Sequence, residues 1–331
     1  MSAKYLLKRI GIGLITLILS SVMTFCLLRA MPGDIFETKA RELSRTRGID
    51  LDEAKRMVSA MINYDPEEPL LQQIGRYYAQ LLQGNLGTSF YQDKSVNEII
   101  AYALPWTLFV VTISLSICFF LGTRMGGMMA WNRRSIVNPI VTVYATITTA
   151  IPFFIFAVLF QMVFCFTLGW FPINGAYSIN TTPGFNLPFI GSVLWHAFSP
   201  IFVYVLTGLG GWALSMKGSS INVLGEDYIT AANARGIPSS VIRKRYMMKN
   251  AMLPLITNLA LTFGTMFGGA VLIERTFVYP GMGTFLSRAT DNRDFPVMQG
   301  MLLIISLAVI VANILSELLY SRLDPRIKRE E

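Results

Sequence analysis

Residues 225–254 read GEDYITAANARGIPSSVIRKRYMMKNAMLP, a charged stretch punctuated by glycine and proline and set between two apolar runs. Two short helical patterns meet at Gly236-Ile237-Pro238, because glycine ends a helix at little steric cost and proline suits the first turn of the next. The stretch is therefore expected to fold as a helical hairpin. Its first helix carries small side chains at Ala231, Ala232 and Ala234, which let a partner's groove close on the helix backbone. Arg235, Arg243, Lys244, Arg245 and Lys249 surround it with positive charge, the polar complementarity expected of a docking surface. The plain alternative is a basic loop that only sets membrane orientation. The glycine-proline break and the alanines are not needed for that.

Composition places the hairpin in a membrane protein. Of 331 residues 53% are hydrophobic and only 15% are charged, whereas soluble domains carry about a quarter charged residues; mean hydropathy is +0.50. Apolar runs of spanning length lie near 10–28, 101–122, 137–167, 199–216, 252–273 and 298–320, giving an all-α chain with six transmembrane helices. The fourth run is the least regular: Gly208, Gly210 and Gly211 interrupt it and Pro200 blurs its start. The first run follows Lys4, Lys8 and Arg9, but its apolar core is long and no small-x-small cleavage site follows, so it is expected to be the first span.

Charge placement orients the spans. Segments 1–9, 123–136, 217–250 and 321–331 hold 16 of the 28 Lys and Arg residues against 5 acidic ones; they face the cytoplasm, and so do both termini. The pI of about 9.4 follows from these loops, so topology accounts for it and a nucleic-acid partner is not expected. Cys26, Cys118 and Cys165 all fall within expected spans, leaving no external pair for a disulfide and no metal-ligand spacing. His196, the only histidine, stands at an external helix end without a ligand partner nearby in sequence.

The chain divides into a first transmembrane helix (1–30), an external helical insertion (31–100) and a five-helix membrane core (101–331) that contains the cytoplasmic loop 217–250. Within the insertion, Asp50 with Glu53 three residues on reads as the start of an amphipathic helix to about Met61. A second helix is expected from Asp65-Pro66-Glu67-Glu68 to Gly84, with Leu70, Leu71, Ile74, Tyr78, Leu81 and Leu82 as a packing stripe. The turn Gly84-Asn85-Leu86-Gly87-Thr88-Ser89-Phe90 is glycine-rich but is no phosphate loop. No Gly-Lys dipeptide occurs anywhere, and the chain shows no catalytic or metal motif. Ionisable residues are nearly missing from the spans, with Glu317 the main exception, which argues against an ion-coupled carrier.

Several segments in order resemble one family. Met31-Pro32-Gly33-Asp34, the GNLGTSF turn, the ITAANARG helix, Asn250 to Pro254, Glu274 to Gly283 (ERTFVYPGMG) and Leu323-Asp324-Pro325-Arg326 are similar to the B-type permeases of dipeptide, oligopeptide and nickel (peptide-opine-nickel) ABC importers, and residues 225–254 to their "EAA" loop. That resemblance implies a permease subunit in a prokaryotic plasma membrane. It further implies a second, C-type permease, two cytoplasmic ATPase subunits that bind ATP and Mg, and an external substrate-binding protein; the chain itself would need no cofactor and be no enzyme. The coupling residues would be Gly225, Glu226, Asp227, Ala231, Ala232, Ala234, Arg235, Gly236, Pro238 and Arg243. Two features depart from the peptide permeases: Gly225-Glu226-Asp227, and Gly211-Trp212 with Lys217-Gly218. The Gly225-Glu226-Asp227 version of the loop looks more like members that occur beside oligosaccharide-binding proteins.

A translocation path is read from two stripes. Asn258, Thr262, Thr265 and Gly269 share one face of the fifth span, and Thr142, Thr146 and Thr149 one face of the third; Gln161 is a further polar candidate. Each is equally readable as helix–helix packing. Pro152 marks an expected kink.

Overall fold

The computed structural model describes residues 3–31, 35–62 and 68–323, which form an all-helical chain. The expected features at Pro32-Gly33-Asp34, Asp65-Pro66-Glu67 and Asp324-Pro325-Arg326, and the side chain of Glu317, lie outside the described residues. The helices are α1 (Ala3–Ala30), α2 (Ile35–Arg47), α3 (Leu51–Ile62), α4 (Leu70–Leu82), α5 (Val96–Trp131), α6 (Val137–Ala150), α7 (Phe153–Phe160), α8 (Leu187–Leu224), α9 (Asp227–Ala234), α10 (Leu253–Thr276), α11 (Met282–Asp291) and α12 (Phe295–Leu323). α1, α5, α8, α10 and α12 are each long and apolar enough to cross a membrane. α6 and α7, the latter extended through Thr167, are long and apolar enough only when taken together, as a pair bent by 95° at a short break.

The bend falls at Ile151-Pro152, both in extended backbone conformations. Proline disfavours helical geometry in the residue before it, so the third span is two helices rather than one kinked rod. Beyond Phe160 it widens into π-type turns over Gln161–Thr167.

The fourth span corrects the sequence reading. It is one unbroken helix, α8, from Leu187 to Leu224, with Pro200 inside it. Two of its glycines are points of contact: a Cβ on Gly210 would lie 2.7 Å from Ala145 of α6, and one on Gly208 3.1 Å from the Cys118 sulfur of α5. From the other side, a Cβ on Gly122 of α5 would fall 2.5 Å from the Trp212 Cβ, and one on Gly126 would fall 2.1 Å from the Ala213 carbonyl oxygen. Two helices this close meet backbone to backbone, which in lipid supplies the packing that water-driven burial cannot. At 1.5 Å per residue α5 and α8 run for about 54 and 57 Å. A bilayer core is about 30 Å thick, so the pair continues past it. Cys118 and Cys165 are buried packing residues, and Cys26 is partly exposed.

In the insertion, α2 was not foreseen. It pairs with α3 through Ala40, Ala54 and Val58, and the Asp50 carboxylate caps α3 by accepting from the Asp52 N–H at 3.1 Å. The expected packing stripe of α4 is also corrected: Leu71 and Leu82 are 83% and 88% exposed, while Tyr77 supplies the contact inward, with its ring 5.8 Å from that of Phe25.

The glycine contacts make a direct test. Gly126→Ala drives a methyl group into the Ala213 carbonyl and is expected to cost about 1–3 kcal/mol, the usual range for overpacking. Gly211→Ala, whose Cβ meets nothing within 4 Å, is expected to leave stability unchanged. Thermal unfolding of the purified protein in detergent, compared across the two variants, reads the difference.

Candidate functional site

The cytoplasmic hairpin is mounted on the inner ends of the two long helices. α9 packs Ile229 and Ala232 onto Ile242, and Trp131 from α5 with Val223 and Leu224 from α8 complete the cluster. Its C-terminus closes as a Schellman motif. The Gly236 N–H donates to the Asn233 carbonyl at 3.0 Å and the Ile237 N–H to the Ala232 carbonyl at 3.2 Å. Gly236 takes φ +71°, the left-handed conformation that the motif requires. Pro238 then starts a helical run through residues 239–251, π-type over Ile242–Met248, that leads into α10. The Ser219 hydroxyl ties this run to α8 by donating to the Ala251 carbonyl at 2.8 Å.

The opposite face of α9 is open. Gly225, Glu226, Asp227, Tyr228, Ala231, Ala234, Arg235, Gly236 and Pro238 are exposed, as are Lys244, Arg245 and Lys249. Glu226 and Asp227 stand at the N-terminus of α9, where negative charge is favoured by the helix dipole. Two expected members leave this face. Ala232 is 3% exposed and belongs to the mount, in one cluster with Ile229 and Ile242. Arg243 is half-buried and lines a cavity with Met125, Met128, Met129 and Val137, turned toward the α5–α6 loop.

The expected path residues are placed unevenly. On α10 the exposed face runs through Pro254, Asn258, Leu261, Thr265, Gly268, Leu272 and Arg275, one position in each turn. Asn258 and Thr265 are on it, whereas Thr262 and Gly269 are rotated toward neighbours and only partly exposed. Leu261 shares the exposed face of Asn258. Thr142, Thr146 and Thr149 are exposed on α6, with hydroxyls bonded back to the carbonyls four residues earlier. Gln161 is committed elsewhere: its side-chain amide donates to the Thr276 carbonyl at 2.7 Å and the Ile173 carbonyl at 3.1 Å, supplying a donor to the end of α10. His196 meets only the Ser192 carbonyl of its own helix, at 2.7 Å.

Two buried carboxylates escaped the sequence reading. α10 runs to Thr276, so Glu274 lies inside the span and is fully buried. It accepts from the Thr107 hydroxyl of α5 at 2.6 Å and from the Gly283 N–H at 2.7 Å, and Thr107 in turn accepts from the Met282 N–H at 2.8 Å. The group thus caps the N-terminus of α11 from another helix. A Cβ on Gly281 would lie 2.3 Å from the carboxylate, and one on Gly283 2.3 Å from the Val271 Cα. This accounts for the spacing of glutamate and the two glycines in ERTFVYPGMG. Asp294, 2% exposed, accepts from the Ser89 hydroxyl and from the Phe90 N–H at 3.1 Å, locking the GNLGTSF turn onto the start of α12. Ser89 and Asp294 are 205 residues apart, so no local pattern in the sequence paired them.

Residues 122–329 match the family described as binding-protein-dependent transport system inner membrane component. The chain belongs to that family. A Brucella suis protein provisionally named as a peptide permease is 32% identical, over 98% of this chain and 99% of its own length. An oligopeptide transport system permease protein of Bacillus subtilis is 28% identical, and a dipeptide transport system permease protein of Alkalihalophilus pseudofirmus 29%, each over 98% of this chain and 99% of the relative. The protein is therefore a multi-pass inner-membrane permease component of a binding-protein-dependent ABC importer, not its ATPase. Membership implies a partner permease, an ATPase and a substrate-binding protein. It sets aside the ion-coupled carrier, and these names give no support to an oligosaccharide assignment drawn from Gly225-Glu226-Asp227.

Removing the Glu274 side chain leaves the Gly283 N–H and the Thr107 hydroxyl without their acceptor, at about 1–3 kcal/mol for each buried group. Glu274→Ala is expected to lower the unfolding temperature sharply. Glu274→Gln is expected to be milder, because its amide oxygen can face Gly283 while its NH2 donates to Thr107. Equal melting of both variants and the parent would remove the capping role.

Proposed function

We propose that this chain forms half of the pathway through which peptides, from dipeptides to oligopeptides, enter the cell, with a second, C-type permease forming the other half. The names of its relatives support the substrate class. Two cytoplasmic ATPase subunits bind ATP and Mg, and an external binding protein delivers the cargo. The observation that carries the coupling role is the exposed face of α9, fixed through Ile229 and Ala232 to the ends of α5 and α8. An ATPase pair that closes on ATP pushes a docked helix, and a helix mounted on two spans passes that displacement into the membrane. Ala231, Ala234, Arg235 and Gly236, with Gly225, Glu226, Asp227 and Pro238 at the edges, form the docking face; Ala232 holds it in place. Asn258 and Thr265 on the open face of α10 are the path residues this arrangement favours.

Ala234 tests coupling more cleanly than Gly236, where a side chain would also strain a residue at φ +71°. Ala234→Trp is expected to leave membrane insertion and melting unchanged, while uptake falls at least tenfold and ATP hydrolysis no longer rises with loaded binding protein. Normal uptake with normal stimulated hydrolysis would remove α9 from the docking face.

Substrate is tested independently. The binding protein that co-purifies with this permease is expected to release peptides when denatured, identified by mass spectrometry. Release of sugars in their place would overturn the peptide assignment and leave the coupling proposal standing.

A further inference from the structure

By sequence α4 belongs to the external insertion, yet it lies against the middle of α1. The Tyr78 hydroxyl donates to the Ile18 carbonyl at 3.1 Å, and Ile18 stands midway along the apolar run Leu6–Ala30, about 18 Å from either end at 1.5 Å per residue. A tyrosine side chain reaches less than two turns of helix, about 11 Å, so the α4 backbone sits below the outer end of α1. The ring of Tyr77 against Phe25 places a second contact within the same span.

The side of α4 turned away from α1 is apolar and, among the described residues, unpartnered. Leu71, Gly75, Ala79 and Leu82 form it, with Gln72 its one polar side chain. Arg76, the only charged residue of the helix, has a side chain 39% exposed and bonds Glu68 at 2.6 Å. On α1 itself, Ile15, Ile18, Leu19, Met23 and Leu27 are 50–64% exposed. A helix satisfies most of its own backbone hydrogen bonds, so it can enter hydrocarbon where an irregular loop cannot.

We propose that α4 is immersed in the outer leaflet, with its Leu71, Gly75, Ala79 and Leu82 face against lipid acyl chains. The depth of Tyr78 within the span of α1 and the lack of charge on this face select hydrocarbon as the occupant. The insertion is then held by the bilayer as well as by the GNLGTSF turn, and α2 and α3 stand outside a lipid-anchored foot. This holds whatever the transported substrate.

Cysteines at Leu71 or Leu82, in a chain whose Cys26, Cys118 and Cys165 are changed to Ala or Ser, would carry an environment-sensitive nitrobenzoxadiazole label. The full transporter, with its companion subunits, is reconstituted in vesicles. The expected result is blue-shifted emission that loses most of its intensity with brominated acyl chains and little with iodide; a label at exposed Lys94 should do the reverse. Emission like that at Lys94 would put the face in water. Shielding from both quenchers would mean that a protein subunit covers it, and either result overturns the proposal. A photoactivatable residue at Leu82 of the otherwise native chain gives the second reading: lipid adducts support immersion, and adducts with another polypeptide refute it.

Discussion

The close approach of α5 and α8 is the contact from which the rest of the molecule is hung. In a bilayer the lipid tails are as apolar as leucine, so two helices gain little by hiding side chains from their surroundings. What remains is contact itself, and contact improves as backbones approach. Gly122 and Gly126 on one helix, facing Trp212, Ala213 and Met216 on the other, bring the two axes together over the inner half of the pair. Gly210 then receives α6 on a further side of α8. The inner ends of the joined helices present Trp131, Val223 and Leu224 together, and α9 has a place to sit only because they do.

The outer end is organised by a different force. Carboxylates in a low-dielectric surround are costly unless every oxygen is engaged. Glu274 and Asp294 meet this condition by accepting from N–H and hydroxyl groups of other elements, which makes each a junction: α10, α5 and α11 at Glu274, and the GNLGTSF turn with α12 at Asp294. Directional bonds fix angles as well as distances. The external side is therefore set by polar geometry, while the cytoplasmic hairpin rests on an apolar mount that has no such angular preference.

Sequence made visible what depends on local chemistry. Span length and charge asymmetry reported the helices, and Gly236-Ile237-Pro238 reported the turn, because backbone conformation at a glycine and a proline is decided within a few residues. Contacts between distant segments were hidden. Gly208 and Gly210 look like helix breakers until α5 and α6 are beside them, and Gln161 looks like a free polar group until the Thr276 carbonyl is placed next to it. Ala232 and Ala234 are the same residue type two positions apart, and only the position of Ile242 tells mount from open face. Glu274 was missed because the end of α10 was drawn one residue short of it. The face of α10 was misjudged for a related reason: exposure depends on which neighbours α10 meets, and the residue types along it do not record that.

The great length of α8 has a mechanical consequence. A beam of about 57 Å crossing a slab of about 30 Å has an arm outside the slab, and α9 is attached to the end of that arm. If the membrane provides the fulcrum near its middle, the arms on either side are of similar length, so the beam transmits displacement at a ratio close to one and reverses its direction. Pro200, inside α8 toward the far end, interrupts one backbone hydrogen bond there and forms a compliant joint in an otherwise stiff beam. Under the coupling role proposed for α9, a displacement there would arrive outside as bending at that joint, on the side where the capped α11 and the latched turn offer the stiffest resistance.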